Sequence, residues 1–407
     1  MADPVHGSLQ RPRRILFVDH VAAMSGGEVA LLNLVLQFRG SQYEPVVLLF
    51  SEGPLADKLR NAGIELHVAP LHGSVINSRK DDLGGGTLLR LRDVASTIAF
   101  ALELSRLIDS LNVAIVHTNS LKADLIGGMA ARVAGVPLVW HVRDRIADDY
   151  LPARVARAFR ALSRLIPTRV IAISRAVAET LGNSNRVRIV CDGTPIAERP
   201  SPSGQGDGVP VIGLVGRIAP WKGQDVFIRA ASEVHEAHPS ARFQIIGSAM
   251  FGEDQYETQV RQMVQSQKLE GVIEFTGFRN DVSDAIANLA ILVHASTRGE
   301  PFGQVVIEGM AAGKPVIASR GGAIPDIVLD GKTGLIVPMN DPTALAEAII
   351  KLLRDPARAA DMGAAGRRRV AECFSIQRTA SGVKAVYDEI LGIPSDGPAR
   401  QAHTGAR

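Results

Sequence analysis

Cysteine is nearly missing from this chain: only Cys191 and Cys373 occur in 407 residues. They lie far apart and without metal-ligand spacing, which excludes a disulfide framework and suits a reducing compartment. No apolar run reaches the roughly 18 residues that a bilayer-spanning helix needs. The opening MADPVHGSLQRPRR carries no apolar h-region, so no secretory signal is expected and the cytoplasm is the simplest compartment. There is no G-x-G-x-x-G, which counts against a nicotinamide enzyme, and no G-x-x-x-x-G-K-[ST] phosphate loop. No repeat of solenoid length is present. A formal charge of +3 points to no particular partner, and no nucleic-acid role is expected.

What is present is the composition of a soluble globular protein, 46% hydrophobic and 21% charged, in a chain long enough for two domains. Arg14–Asp19 reads as a buried strand, a loop holding Gly26 and Gly27 follows, and a helix runs on to Phe38. Further strand-like runs fall at 45–50, 65–68, 113–117, 137–142 and 169–173, with helical patterns over 89–110 and 121–134. That alternation predicts a mostly parallel α/β sheet. The Pro-, Gly- and Ser-rich stretch 192–210 reads as a linker, and the pattern then restarts. A strand at Val211–Val215, a loop at 216–223 and a helix over 224–236 are followed by strands at 242–246, 272–276, 291–294, 315–318 and 334–337. The expected organisation is therefore a first domain over 13–191, a second over 211–375 and a closing helix over 376–391. The ends, 1–12 and 394–407, are expected to be poorly ordered, and 79–86 is a charged, glycine-rich loop with no assignable role.

The most informative stretch is ASTRGEPFGQVVIEGMAAGKPVIASRGGAI, residues 295–324, with Glu300 and Glu308 separated by seven residues. Pro301 suits a helix start. The helix that follows is apolar nearly all round, so Glu308 is expected to be buried. It is then either a core carboxylate paired with backbone or an Arg, or a group that accepts the hydroxyls of a polar ligand. Arg217 and Lys222, in GRIAPWKG, are either two solvated surface charges or a pair of cations fit for a diphosphate. A helix start at Phe302-Gly303 offers free backbone N–H groups to an anion.

The E-x7-E spacing, with Gly303 after the first Glu and GKPVIAS downstream, resembles the nucleotide-sugar glycosyltransferases of family 4. The resemblance implies a GT-B architecture, two Rossmann-like domains facing across an interdomain cleft, with the last helix crossing back to the first. It also implies a retaining, metal-independent sugar transfer from a nucleotide diphosphate sugar, which is a co-substrate rather than a cofactor, to a carbohydrate or lipid-linked acceptor.

In that scheme Arg217 and Lys222 contact the diphosphate, Phe302 and Gly303 face the donor, Glu300 lies near the sugar and Glu308 binds the ribose. Phe278, in GFRN, resembles a residue flanking the base. Gly26 and Gly27 resemble a glycine pair facing the phosphate, although a plain tight turn explains them nearly as well. His141, at a strand end, is either structural or beside the reacting sugar, and His117, Asn119 and Ser120 are acceptor-side candidates. Two departures stand out: Gly309 where many members have Ala, and Asp326 where Glu is usual.

A further feature is the run 151–166, which on a helix of roughly 3.6 residues per turn places Val155, Phe159, Leu162, Leu165 and Ile166 on one face. Arg157, Arg160 and Arg164 fall on the other. This is either a helix packed on the sheet or a basic amphipathic helix lying on an anionic membrane. Rival functions are a sugar-nucleotide epimerase of the same architecture and a non-catalytic nucleotide-sugar binding subunit.

Overall fold

The computed structural model describes residues 11–70, 91–148, 150–197, 208–250 and 252–394. Short runs of Val, Ile and Leu, too brief for helices and flanked by turns, become strands, the central ones buried on both faces, as parallel sheets require. In the first half these are β1 (Arg13–Asp19), β2 (Tyr43–Leu49), β3 (Glu65–Val68), β4 (Ile115–Thr118), β5 (Leu138–Val142), β6 (Arg169–Ala172) and β7 (Val187–Ile189). They lie in the order β3-β2-β1-β4-β5-β6-β7, all parallel. The described helices between them are α1 (Gly26–Gln37), α2 (Pro54–Asn61), α3 (Leu91–Leu111), α4 (Leu121–Val133), α5 (Ala153–Ser163) and α6 (Arg175–Leu181).

The second half repeats the scheme with β8 (Val211–Val215), β9 (Arg242–Ile246), β10 (Ile273–Gly277), β11 (Ile291–His294), β12 (Val316–Ser319) and β13 (Leu335–Val337), in the order β10-β9-β8-β11-β12-β13. Its helices are α7 (Gln224–Ala237), α8 (Asp254–Ser266), α9 (Val282–Ala287), α10 (Gln304–Ala311), α11 (Ile324–Ile327), α12 (Pro342–Arg354) and α13 (Pro356–Cys373). The doubly wound reading therefore holds for both halves. In each sheet the order reverses beside the first strand, at β1/β4 and at β8/β11. Ligands of such sheets bind outside the strands' carboxyl ends at that switch point.

The chain divides into two compact units, one running to Val190 and resuming at Thr379, the other Cys191–Arg378. The closing helix, α14 (Ile376–Leu391), supplies Val383, Val386 and Tyr387 to the first unit's core, where they join Phe17, Leu31, Phe38 and Tyr43. Glu389, on the same helix, accepts from Arg169 and Arg188.

Several expectations need correction. The α1 helix begins at Gly26, so Gly26 and Gly27 form its first turn and not a tight loop turn. The edge strand β7 went unread because three residues, none of them fully buried, leave no periodic signal. In the proposed linker, Thr194 bridges to Ser375; residues 198–207 lie outside the described residues, as do the loop 79–86, residues 1–10 and residues 395–407.

On α5 the buried stripe is Ala156, Phe159 and Ser163, and Phe159 stacks on Trp140 with ring centroids 5.0 Å apart. Leu165, expected on that stripe, is 69% exposed. Arg160 turns back to the Ile146 carbonyl and toward Asp148, while Arg157 and Arg164 stay exposed. This is the packing of a helix on its sheet. Among the described residues no helix is long and apolar enough to cross a membrane.

Candidate functional site

In the second unit three loops at the carboxyl edge are tied together. The loop after β8 closes in a 3-10 turn, Pro220–Lys222, and buried Gln224 staples it by donating to the Arg217 carbonyl at 2.8 Å. Thr297, after β11, donates its backbone N–H to the Trp221 carbonyl at 2.9 Å. The loop after β12 meets Glu300 through Gly322, whose φ of 57° belongs to the left-handed region and whose added Cβ would stand 1.9 Å from the Glu300 carbonyl oxygen. Ala323 N–H then donates to that same oxygen at 3.1 Å.

Glu300 is thereby fixed beside the β8 loop. Lys222 Nζ donates to its Oε1 at 2.7 Å, Ser296 Oγ donates to the same atom, and His294 Nε2 lies 3.3 Å away. Burial alone would raise its pKa, but Lys222 and His294 hold it well below the usual carboxylate range. Glu300 is ionised and its charge is matched. Arg217 lies over the Trp221 ring, 5.6 Å from the centroid.

Glu308 differs. The helix does not start at Pro301: bends continue to Gly303, which caps α10 with φ 116°. Nor is α10 buried all round, because Gln304, Val305 and Glu308 form a half-buried face. The side-chain partner of Glu308 is Gln304, whose Nε2 donates at 3.1 Å. Burial raises its pKa to about 7, with that hydrogen bond pulling the other way. Among the described residues it has neither the Arg nor the backbone partner of an ordinary core carboxylate.

Among the other expected residues, Phe278 stands 53% exposed just beyond β10. The Phe302 side chain does not face outward; it is buried, 6.0 Å from Phe374 between ring centroids. Gly309 packs closely: an added Cβ would lie 3.1 Å from the Leu292 side chain, which would have to shift by a few tenths of an ångström to admit it. Asp326 is exposed on the short α11.

In the first unit the carboxyl edge is a buried polar network. Asp19 accepts from Asn119 Nδ2 at 2.6 Å, from Ser120 Oγ at 2.7 Å and from the His20 backbone at 2.7 Å. Burial works against its charge, but the His20, Asn119 and Ser120 contacts keep its pKa below the usual range. Asn119 Oδ1 accepts from Arg143 Nε at 2.7 Å, and an added Cβ on Gly27 would meet Arg143 Cδ at 3.6 Å, an ordinary contact. Asn119 is thus held by the network, while Ser120 is half-buried. His117 and His141 are both fully buried, 3.0 Å apart from Nε2 to Nδ1.

Models of two families cover most of the chain: "Glycosyltransferase Family 4" matches residues 24–198, and "Glycosyl transferases group 1" matches 196–369. The chain belongs to glycosyltransferase family 4. A GDP-mannose-dependent monoacylated alpha-(1-6)-phosphatidylinositol monomannoside mannosyltransferase of Corynebacterium glutamicum is 39% identical over 173 residues, 40% of this chain and 43% of that protein. The lipopolysaccharide core biosynthesis mannosyltransferase LpcC of Rhizobium leguminosarum is 32% identical over 182 residues, 45% of this chain and 51% of that one. The chain spans about half the length of these curated relatives.

Among solved structures, Anabaena HepE, in complex with UDP and glucose, matches with a TM-score of 0.79 at 25% identity, covering 91% of this chain and 98% of that one. Sucrose-phosphate synthase of Thermosynechococcus elongatus matches in fold with a TM-score of 0.74 at 19% identity, over 94% and 100% of the two chains. The fold is that of the GT-B glycosyltransferases, two parallel-sheet α/β domains.

Within this family-4 chain, the second unit brings Lys222, Glu300 and the start of α10 to one edge, with Glu308 a turn further on. Sequence reasoning missed His294, Ser296, Gln304 and Asp19. The signal for His294 and Asp19 was present, since each is a polar residue ending an apolar strand at a switch point. That Tyr387 would reach His117 was not legible, because 270 residues separate them.

Proposed function

We propose that this chain is a retaining, metal-independent glycosyltransferase that moves a hexose from a nucleotide diphosphate sugar to a hydroxyl of a glycan or glycolipid acceptor. The observation that carries the reading is Glu308, a half-buried carboxylate with Gln304 as its side-chain partner, one turn beyond a glycine-capped helix start. A group so placed is suited to accept ribose hydroxyls, while the backbone N–H groups at Gly303 and Gln304 face the donor phosphates. Arg217 and Lys222 supply the matching positive charge, and Phe278 is exposed enough to flank the base. The names of the relatives favour a sugar donor carried on GDP or UDP and an acceptor of the glycolipid or lipopolysaccharide type.

In the reaction the bond from the anomeric carbon to the diphosphate oxygen breaks, and the nucleoside diphosphate leaves with the bonding pair. The acceptor oxygen bonds to the same carbon from the same face, and its proton passes to a donor phosphate oxygen. Arg217, Lys222 and the start of α10 stabilise the charge that grows on the leaving group. Glu300, ionised and held by Lys222, lies near the sugar and opposes the positive charge developing there.

The test is a panel of GDP- and UDP-linked hexoses, scored by thermal stabilisation and slow donor hydrolysis. One donor class should stabilise the protein, and Glu308→Ala should weaken it by about a hundredfold, from the loss of two hydrogen bonds to a charged group. If Glu308→Ala binds every donor as tightly as the parent, the ribose assignment is wrong. Release of an altered sugar nucleotide without acceptor would instead favour an epimerase.

A further inference from the structure

The first unit contains a hydrogen-bonded chain with one open end. Tyr387 Oη lies 2.7 Å from His117 Nδ1, and His117 Nε2 lies 3.0 Å from His141 Nδ1. All three residues are fully buried. His141 Nε2, the last atom of the chain, is buried without a hydrogen-bond partner. Burial, and then the charge of Arg143, lowers the pKa of His117 to about 3, and the same causes hold His141 well below its ordinary value. Both rings are neutral, so each has one N–H and one lone pair.

Two polarities are possible. If the Tyr387 hydroxyl donates to His117 Nδ1, then His117 Nε2–H donates to His141 Nδ1, and His141 carries its proton on Nε2. That Nε2–H donor is left unpaired, and the phenol oxygen, a weak acceptor, receives nothing. In the reverse polarity His117 Nδ1–H donates to Tyr387 and His141 Nδ1–H donates to His117. The groups left over are then the Tyr387 hydroxyl hydrogen, which has no other acceptor among the described residues, and the lone pair of His141 Nε2. A phenol O–H is a stronger donor than an imidazole N–H and an imidazole nitrogen a stronger acceptor than a phenol oxygen, so the first polarity, which uses the stronger of each, wins. It leaves an N–H whose cost disappears when an oxygen arrives to accept it.

We infer that Tyr387 and His117 are positioning residues that fix His141 as an Nε2–H donor for a hydroxyl or phosphate oxygen of the substrate, so that His141 holds the ligand and is not a base. The inference rests on the proposed sugar transfer and on the family resemblance that sets His141 beside the reacting sugar, and it makes that expectation specific. With Nδ1 occupied and Nε2 already protonated, His141 has no free lone pair with which to take a proton. The determinant of its tautomer lies on α14, the last helix in the chain.

The test is nitrogen-15 NMR of histidine side chains in the intact protein, with and without the stabilising nucleotide sugar. His141 should show a protonated Nε2 and an unprotonated Nδ1, and the nucleotide sugar should shift the Nε2 signal. Tyr387→Phe keeps the ring packing on Phe38 and Tyr43, at 5.8 and 5.3 Å between centroids, but removes the donor. It should mix the His141 tautomers and lower kcat about tenfold, the equivalent of one orienting hydrogen bond. A parent protein with the proton on Nδ1 overturns the tautomer assignment, even if Tyr387→Phe fails to fold. A correct tautomer whose Nε2 signal ignores a tightly bound nucleotide sugar overturns the ligand contact itself.

Discussion

The carboxyl edges of the two sheets share a strand order and differ in material. In the second unit the edge holds partly buried charge: Arg217 over Trp221, Lys222 on Glu300, and Glu308 on the half-buried face of α10. In the first unit the edge is mostly sealed. Asp19, Asn119, His117 and His141 are buried, and both histidines are neutral. The difference matches what the proposed function has each edge hold. A diphosphate leaving group needs fixed positive charge that water does not have to be stripped from at the moment of reaction. A neutral sugar needs directional hydrogen bonds, which a desolvated network supplies more rigidly.

The largest effect expected from breaking this contrast is at Lys222. On the proposed function Lys222→Ala removes a cation from the leaving diphosphate and also strips Glu300 of its ion pair, so kcat/KM should fall by about 10²–10³. Steady-state transfer kinetics measure it. A loss under about tenfold would mean that Lys222 serves Glu300 and not the leaving group.

Next in size is a pH effect confined to the second unit. Glu308 has a pKa raised to about 7, and only as a carboxylate do both its oxygens serve as charged acceptors for two hydroxyls. Donor affinity should therefore rise with pH up to about 7 and level off above it, falling about tenfold for each unit below. Calorimetric titration across that range should show the trend in the parent and a flat profile in Glu308→Gln. An unchanged slope in the variant would assign the titration to another group.

The smallest effects come from a matched pair of glycines at helix starts. Gly303 has φ 116° and an added Cβ would lie 2.8 Å from Ile324 Cδ1, so Gly303→Ala should cost about 1–3 kcal/mol in thermal unfolding. Gly27 has no left-handed φ, and its added Cβ makes only ordinary contact, so Gly27→Ala should change stability by less than about 0.5 kcal/mol. If Gly27 faces the donor, KM for the nucleotide sugar should still rise. Stability and KM both unmoved would remove Gly27 from the site.

Much of this molecule was legible before any coordinates. Apolar runs of four to six residues alternating with helical patterns determined two doubly wound units, because only a sheet covered on both faces buries strands of that kind. Glu300, Glu308, Arg217 and Lys222 were legible as a group because they sit in loops or helix starts just after strands. Tertiary structure decided what each does with its charge. Glu300 is paired with a cation and Glu308 with a neutral amide, although both are Glu in one motif, because the β8 loop brings Lys222 to the first and α10 sets Gln304 beside the second. Phe302 is a packing residue because Phe374 lies against it. The state of His141 is set by Tyr387, hundreds of residues away, since burial leaves each proton only one neighbour to choose. Periodicity specifies which face is buried; only the folded chain specifies which polar groups meet there.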